Sequence, residues 1–264
     1  DLGTTFSCMA YINEEGQPVV IPNGEGKNTT PSTVLFDGTS TIVGEEAKNQ
    51  SIIDPQNFEQ FVKRHMGERD YLFSTEDGEK YSPEAISAII LAKMKADAEQ
   101  HLGEPIEGAV ITVPAYFNEA QRKSTMDAGK IAGLNVLAII NEPTAAALAF
   151  GIAKGTEKEQ TIMVYDLGGG TFDVTVLKFD AENITVLGTA GDRKLGGYDF
   201  DERIINAVIE EAAERGLDIK NDLVARQDLQ LKAEEAKKTL SVREKANIVL
   251  NIGGRPFKYS LTRE

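Results

Sequence analysis

The feature of this sequence that most constrains its fold is a short motif that occurs twice. Residues 1–7 spell Asp-Leu-Gly-Thr-Thr-Phe-Ser, and residues 166–173 spell Asp-Leu-Gly-Gly-Gly-Thr-Phe-Asp. A β-prone run follows each copy, and a strand-like run precedes the second. Because an internal repeat marks the same point in two copies of one structural unit, we predict a duplicated fold with one copy in each of two lobes.

The segments around the two motifs alternate between strand-like and helix-like patterns, which favours α/β lobes. Short apolar runs predict buried strands at 109–113, 136–140 and 161–165. A more open alternation at 171–179 predicts a half-buried hairpin strand.

Two helices carry recognisable caps. Ser82 followed by Pro83 predicts a helix start, and that helix should end at Gly103. Asn118 with Gln121 forms a capping-box pattern that predicts a second helix.

The last part of the chain predicts two long helices and a hairpin. The helices should span 199–215 and 227–240, and the second is charged on most faces, which predicts a largely solvated helix. Strands at 246–252 and 256–261 would be joined by two glycines.

These elements predict the following division of the chain. The first lobe would span 1–155 and include a smaller subdomain near 31–105. The second lobe would span 156–264, carry the second motif, and include a helical and hairpin subdomain near 196–264. The boundary would fall in the polar stretch 154–160.

The repeated turn has the chemistry of a phosphate clamp. Its glycines allow a tight bend that directs successive backbone N–H groups toward one point. Thr4, Thr5 and Thr171 add hydroxyl donors. Asp1 and Asp166 would repel phosphate unless a cation lay between, so the pattern implies Mg²⁺ that keeps part of its water shell.

Glycine-rich segments of this sequence could instead belong to ordinary turns, a Walker loop or a Rossmann site. Either copy alone could be an ordinary turn, but two copies with threonines at matching places favour phosphate binding. The glycine-rich stretch 24–28 lacks the spacing of a Walker loop. A Rossmann dinucleotide site is unsupported, because no Gly-x-Gly-x-x-Gly opens a helix after a strand.

Composition limits the partners. The net charge of −14 disfavours nucleic acid and anionic membranes. Cys8 is the only cysteine, so an intrachain disulfide is excluded, and we expect it to be buried in a strand. The sequence has no apolar run of membrane-spanning length.

The sequence resembles the DnaK-type heat-shock chaperones of the heat shock protein 70 family from residue 1 to residue 264. The residues that carry the resemblance are the two aspartate–glycine motifs, Gly191-Asp192, Leu195-Gly196-Gly197, Asp199-Phe200-Asp201, the segment 112–118, Gln121-Arg122 and the segment 140–147. The resemblance implies a duplicated ribonuclease-H-like fold of the actin-like ATPase class, with two lobes around a nucleotide cleft.

The resemblance also implies catalytic roles. Lys63 would contact the γ-phosphate and the attacking water, and Glu142 would orient the water shell of Mg²⁺. Asp166 would act as general base or position the water, and Thr171 would contact the γ-phosphate. Pro114 resembles a member of the family's relay toward a substrate domain.

Binding roles follow in the same way. Asp1, Asp166 and Asp173 would hold cations, with Mg²⁺ bound mostly through water and K⁺ nearby, and Asp1 and Asp166 should stay ionised there. The residues implied in binding ATP or ADP are Gly3, Thr4, Thr5, Phe6, Gly168, Gly169, Gly170, Gly196, Gly197, Glu234, Lys237, Lys238 and Ser241. Without the resemblance, the last four would be assigned to a solvated helix face.

The implied function is slow ATP hydrolysis that drives a chaperone cycle for unfolded polypeptides. The expected partners are those polypeptides, a J-domain co-chaperone and a nucleotide exchange factor, in a bacterial cytoplasm. The family's peptide-binding domain and second adenosine-contacting loop would lie after Glu264, which would leave the second lobe incomplete and part of its sheet exposed.

Two other classes stay open on the fold alone. A sugar or acid kinase of the same fold class would need a small-molecule pocket between the lobes. An actin-like filament protein would polymerise with nucleotide. The motifs at Glu142 and Arg122 favour the chaperone.

Overall fold

The computed structural model describes residues 1–154, 159–179 and 183–264. The expected lobe boundary at 154–160 therefore lies mostly outside the described residues, as does the division between 155 and 156. Among the described helices, none has the length and apolar character needed to cross a membrane.

The chain is a mixed α/β protein, as expected from the alternating patterns. Its described strands are β1 (Phe6–Ser7), β2 (Met9–Ile12), β3 (Pro18–Ile21), β4 (Thr30–Pro31), β5 (Thr33–Asp37), β6 (Ser40–Val43), β7 (Phe58–Gln60), β8 (Phe73–Ser74), β9 (Lys80–Tyr81), β10 (Ala109–Val113), β11 (Val136–Asn141), β12 (Gln160–Leu167), β13 (Phe172–Phe179), β14 (Ile184–Asp192), β15 (Lys245–Ile252) and β16 (Arg255–Thr262).

Helices connect and cover these strands. They are α1 (Glu45–Gln50), α2 (Pro83–Leu102), α3 (Glu119–Ile131), α4 (Glu142–Lys154), α5 (Gly197–Glu214) and α6 (Leu223–Leu240), with a short 3₁₀ helix at Val62–His65.

Most strands pair with a strand that is next to them in the chain. β10 and β11 pair in parallel, and the crossover that a parallel pair needs is made by α3. β12, β13 and β14 form an antiparallel sheet in that order, and β5 lies between β6 and β7. β15 and β16 form a hairpin through Gly253 and Gly254, whose φ angles of 56° and 80° suit the left-handed turn that matches strand twist.

The first core forms around α2. The four-residue step of Ile86, Ile90 and Met94 faces inward, where these side chains pack with β5 and β10. The hydroxyl of Ser82 accepts a hydrogen bond from the Ala85 N–H, and Gly103 ends the helix with φ 75°, so both predicted ends of this helix are confirmed.

The second core corrects the prediction for the last helix. α6 begins at Leu223 rather than 227, capped by Asp222, and it is not largely solvated. Leu229 and Ala233 are completely buried against the hairpin. The inward face contains mostly alanines, which add little to a hydrophobic pattern, so the charged residues dominated the sequence signal.

The strand predicted at 161–165 as fully buried is only half-buried. β12 alternates along its length, and Met163 and Tyr165 are 64% and 62% exposed. Val186 and Leu187 of β14 are exposed as well. This sheet therefore shows apolar surface to solvent.

Candidate functional site

The first aspartate–glycine motif forms a tight hairpin. The Asp1 nitrogen donates to the Cys8 carbonyl oxygen at 2.8 Å, and the Cys8 N–H donates to the Asp1 carbonyl oxygen at 3.0 Å. A Cβ at Gly3 would lie 2.0 Å from the Phe6 carbonyl oxygen, so only glycine fits there. Cys8 was expected to be buried in a strand, but it lies between β1 and β2 and is half-buried, because it closes this hairpin.

The second motif closes at the same separation. Asp166 faces Asp173 across β12 and β13, seven residues apart like Asp1 and Cys8. The Gly168 N–H donates to the Thr171 carbonyl oxygen at 3.0 Å inside the turn. The two motifs therefore share a hairpin length as well as a sequence.

The tips of the two turns touch each other. A Cβ at Gly169 would lie 1.9 Å from the Thr5 hydroxyl oxygen, and one at Gly170 would lie 2.7 Å from that of Thr4. Contacts this short leave no room for a side chain at Gly169 or Gly170. The tips of the two turns are therefore adjacent, and a nucleotide cleft between two lobes stays a prediction.

A third glycine loop braces the second turn. The Gly197 N–H donates to the Gly168 carbonyl oxygen at 3.0 Å, and the Tyr198 N–H donates to that of Gly169 at 2.8 Å. A Cβ at Gly196 would lie 2.6 Å from the Gly169 carbonyl carbon. The start of α5 is thus fixed against the turn by backbone contacts alone.

Lys63 and Glu142 form an ion pair beside the turns. The ammonium lies 2.8 Å from the carboxylate, and the side chains are 8% and 16% exposed. Lys63 belongs to the 3₁₀ helix, whereas Glu142 opens α4 directly after β11. The positive end of the α4 dipole favours a carboxylate at this place.

Asp173 is a buried acid without adequate partners. It is 1% exposed, and neither carboxylate oxygen accepts a full hydrogen bond from a described residue. Burial raises its pKa to about 6, and repulsion from Glu142 and Asp166 adds to the rise. The Ala115 N–H and the Lys63 ammonium offset this rise only in part.

Asp166 belongs to the same cluster. Burial raises its pKa first and Glu142 raises it further, while Lys63 lowers it. When only protein groups surround them, both aspartates therefore hold their protons more tightly than an aspartate in water does. Carboxylates that share one ammonium, with one of them buried and unpartnered, fit a bound cation.

That cation would keep water ligands. Among the described residues, no three acidic, histidine or cysteine side chains are close enough to bind a metal ion together. Asp1 is exposed, and its carboxylate accepts a hydrogen bond from the Thr112 hydroxyl at 3.2 Å.

The four residues predicted on α6 have separate surroundings. Glu234 pairs with Lys48 of α1 at 2.6 Å and with Lys238 at 2.7 Å. Burial alone would raise the pKa of Glu234, but the hydrogen bonds from Lys238 and Lys48 lower it. Lys237 lies 2.8 Å from Asp201 and donates to the Gly197 carbonyl oxygen at 3.0 Å.

Phe6 lies between the lysines of this group. Its ring centroid is 5.8 Å from the Lys48 ammonium and 6.0 Å from that of Lys238. Ser241, by contrast, is exposed at the C-terminal cap of α6. The structure thus groups Glu234 and Lys238 with Phe6 and leaves Ser241 at the edge.

Sequence reasoning missed an ion pair between two distant parts of the chain. Arg64 makes a bidentate ion pair with Asp199, at 2.8 and 3.1 Å, and its guanidinium lies 4.5 Å from the Tyr198 ring centroid. The Phe61 ring packs edge-on against Tyr198 at 4.8 Å. Phe61 has φ 65°, the only positive value at a non-glycine among the described residues. The adjacency of Arg64 to Lys63 was the only available signal.

A comparison with protein-family models gives one match that covers most of the chain. The model described as Hsp70 protein matches residues 1–76 and 69–257. The matched residues include both turns, the third glycine loop, the Lys63–Glu142 pair and α6.

Proposed function

The chain belongs to the Hsp70 family, and from that premise we propose that its two turns clamp the phosphates of ATP and that it hydrolyses ATP slowly. Members of this family are ATP-binding chaperones that act as ATPases and use Mg²⁺. The fold implied by membership is that of the actin-like ATPases, with which the mixed α/β architecture agrees. The duplication of that fold in two lobes is part of the proposal.

One observation carries this proposal: the threonine tip of the first turn meets the glycine tip of the second beside a buried ion pair and a buried, unpartnered acid. The tips offer backbone N–H groups and hydroxyls to phosphate oxygens without positive charge. Gly3, Thr4 and Thr5 would serve one side, and Gly168–Gly170 the other, with Gly196 and Gly197 supporting the second turn.

The chemistry would depend on positioning and electrostatics, as in other phosphoryl transfers. The Lys63 ammonium would stabilise charge on the γ-phosphoryl oxygens, and the Thr171 hydroxyl would donate to one of them. Asp166 would orient the attacking water and receive its proton.

The cation site would be formed by Asp1, Asp166 and Asp173, with Glu142 directing the water shell. Bound there, Mg²⁺ would neutralise phosphate charge, and K⁺ would add to this. Asp173 supports the assignment because a buried carboxylate without full hydrogen bonds is stabilised by a positive ion.

The adenosine end would lie toward α6. Glu234, Lys237 and Lys238 would contact ribose and adenine beside Phe6, and Ser241 would join them from the end of the helix. Glu234 already contacts α1 through Lys48, so nucleotide binding and closure of the cleft would involve the same side chain.

In the proposed cycle, the nucleotide state controls binding of unfolded polypeptides by a separate peptide-binding domain. A J-domain co-chaperone would stimulate hydrolysis, and an exchange factor would release ADP. The DnaK type, the bacterial cytoplasm and the relay through Pro114 and Arg122 are parts of the same proposal.

Replacement of Lys63 tests the chemistry. Lys63→Ala should lower the rate of ADP formation by about 10²–10³-fold, because it removes charge stabilisation at the transferred phosphoryl group. The affinity for MgADP, measured by calorimetric titration, should change only a few-fold.

The matched control is Lys123→Ala, which removes an ammonium that is 76% exposed on α3. Its ADP formation should equal that of the unmodified chain. Unchanged turnover in Lys63→Ala would show that the assigned mechanism is wrong.

A further inference from the structure

A cavity of about 180 Å³ lies on one side of the two turns. Thr4, Lys63 and Asp173 line its buried part, and Arg193 and Lys194 line its solvent-exposed part. Since a water molecule needs roughly 10–15 Å³ of such space, the cavity has room for a hydrated anion.

The cavity belongs to the cleft itself. Pro114 and Phe117, which follow β10, form one wall, and Thr171 of the second turn forms another. An anion that left the space between Thr4 and Thr171 would enter this cavity directly.

The charge of the cavity is opposite to that of the protein. Four cationic side chains, Lys63, Arg64, Arg193 and Lys194, line it against the carboxylates of Glu68 and Asp173, in a chain of net charge −14. A cleft lined by one sign of charge concentrates ions of the other sign.

Arg193 and Lys194 differ from the other two cations. Lys63 and Arg64 are neutralised by Glu142 and Asp199, whereas neither Arg193 nor Lys194 has an ion-pair partner among the described residues. In their loop, the Lys194 N–H donates to the Asp192 carboxylate at 2.8 Å. Two cations without an ion-pair partner among the described residues therefore line the exposed mouth of the cavity.

The other side of the turns is nearly closed. There the space between Thr5, Gln60 and Glu234 is about 10 Å³, which is room for one water at most. The Lys48–Glu234 ion pair at 2.6 Å spans this side. Of these two spaces beside the turns, the one on the Arg193 side is the wider path for a phosphate ion released while ADP is still bound.

We propose that this cavity is a transient binding site and exit for inorganic phosphate, with Arg193 and Lys194 as its anion-binding residues. The inference rests on the proposed ATP hydrolysis. In that step the water oxygen bonds to the γ-phosphorus, the bond from this phosphorus to the β–γ bridging oxygen breaks with its electron pair remaining on ADP, and the water proton passes to Asp166. The phosphate ion then moves past Thr171 toward Arg193 and Lys194.

The test uses the double variant Arg193→Ala/Lys194→Ala and a matched control, Arg255→Ala/Lys258→Ala. The control removes the same charge from exposed residues of β16 that do not line the cavity. Radiolabelled inorganic phosphate is titrated onto each MgADP-bound protein by equilibrium dialysis. The cavity variant should bind phosphate on the order of tenfold more weakly, and the control should match the unmodified chain.

Kinetics separate this inference from the proposed function. Under single turnover with MgATP, acid-quenched ADP formation should be the same in both variants within about twofold. The rate at which inorganic phosphate associates with the MgADP-bound protein can be followed with a fluorescent phosphate sensor. This rate should be lower in the cavity variant and less sensitive to salt.

Each outcome has a distinct meaning. If the unmodified chain forms no ADP, the proposed hydrolysis fails. If ADP forms but the cavity variant binds phosphate as tightly as the control, phosphate is held by the two turns alone and the exit site is wrong. The charge-reversed variant Arg193→Glu/Lys194→Glu should weaken phosphate binding further, and an equal affinity would overturn the proposal as well.

Discussion

The first and second turns close at the same separation along the chain and differ in their chemistry. Both hairpins close between residues seven positions apart, Asp1 with Cys8 and Asp166 with Asp173. The first turn has two threonines at its tip, where the second has glycines. At the closing position the first has a half-buried thiol and the second a buried carboxylate.

Because of this difference, the two hairpins contribute different groups where their tips meet. The glycines of the second turn let its backbone approach the threonines of the first, so one turn provides space and the other provides hydroxyls. Among the described residues of the two turns, only Asp173 of the second is a buried acid without a hydrogen-bond partner, which supports the proposal that it helps to hold a cation.

Substitution of the residues that close the two hairpins should give the largest functional difference between the turns. Asp173→Asn should weaken the Mg²⁺ dependence of nucleotide binding and hydrolysis by about 10–100-fold, because it removes a charge from the proposed cation site. Cys8→Ser, at the matching place in the first turn, should change both by less than about twofold. Magnesium titrations of MgADP affinity and ADP formation measure this, and equal effects would remove the distinction between the turns.

Two glycines of the second turn should differ in how well they tolerate a side chain. Gly169→Ala would place a methyl group 1.9 Å from the Thr5 hydroxyl oxygen, whereas at Gly168 the nearest atom is 3.5 Å away. Overpacking should lower the free energy of unfolding by about 1–3 kcal/mol in Gly169→Ala, with less than about 0.5 kcal/mol in Gly168→Ala. Denaturant unfolding without nucleotide measures both, and a Gly169→Ala variant as stable as Gly168→Ala would show that the tips are not in contact.

The buried acids should also make the free energy of unfolding depend on pH. Burial raises the pKa of Asp173 to about 6 from the usual 3.8, so the folded state binds its proton more tightly than the unfolded state does. Its contribution to stability is therefore complete below about pH 4 and is lost as the pH rises through about 6. The pKa of Glu59, raised by burial to about 7, acts in the same direction at higher pH.

Denaturant unfolding between pH 4 and 7.5, without nucleotide or metal, measures this loss. Asp173→Asn should flatten the lower part of the curve, and Glu59→Gln the upper part. A curve for Asp173→Asn that follows the unmodified chain would show that the carboxylate is better hydrated than its burial indicates.

Local signals in the sequence were sufficient for the elements and the turns. β10 spans the predicted 109–113, and the capping box of Asn118 and Gln121 is present with both hydrogen bonds, because these features depend on neighbouring residues. The meeting of the turns could be predicted because the repeat itself implied two matching halves.

The remaining parts of the site depend on contacts between distant residues. Lys48 and Glu234 are 186 positions apart, and Arg64 and Asp199 are 135 apart. Such pairs leave no periodic or spacing pattern in the sequence. The buried face of α6 was missed for another reason, since alanines such as Ala233 become core residues only when a partner such as the β15–β16 hairpin is known.

The left-handed backbone at Phe61 affects how a substitution at this position changes the stability of the protein. Phe61→Gly would relieve strain of about 1–2 kcal/mol and remove an aromatic contact with Tyr198 worth about 0.5–1.5 kcal/mol. The variant would also lose the burial of a half-buried ring, worth up to about 1.5–3 kcal/mol for a fully buried phenylalanine, and glycine would cost about 0.5–1 kcal/mol in conformational entropy. The relief of strain therefore offsets only part of the loss, and the melting temperature of the variant should fall. The exchange rate of bound nucleotide should rise as well, because the contact between Phe61 and Tyr198 lies next to Lys63.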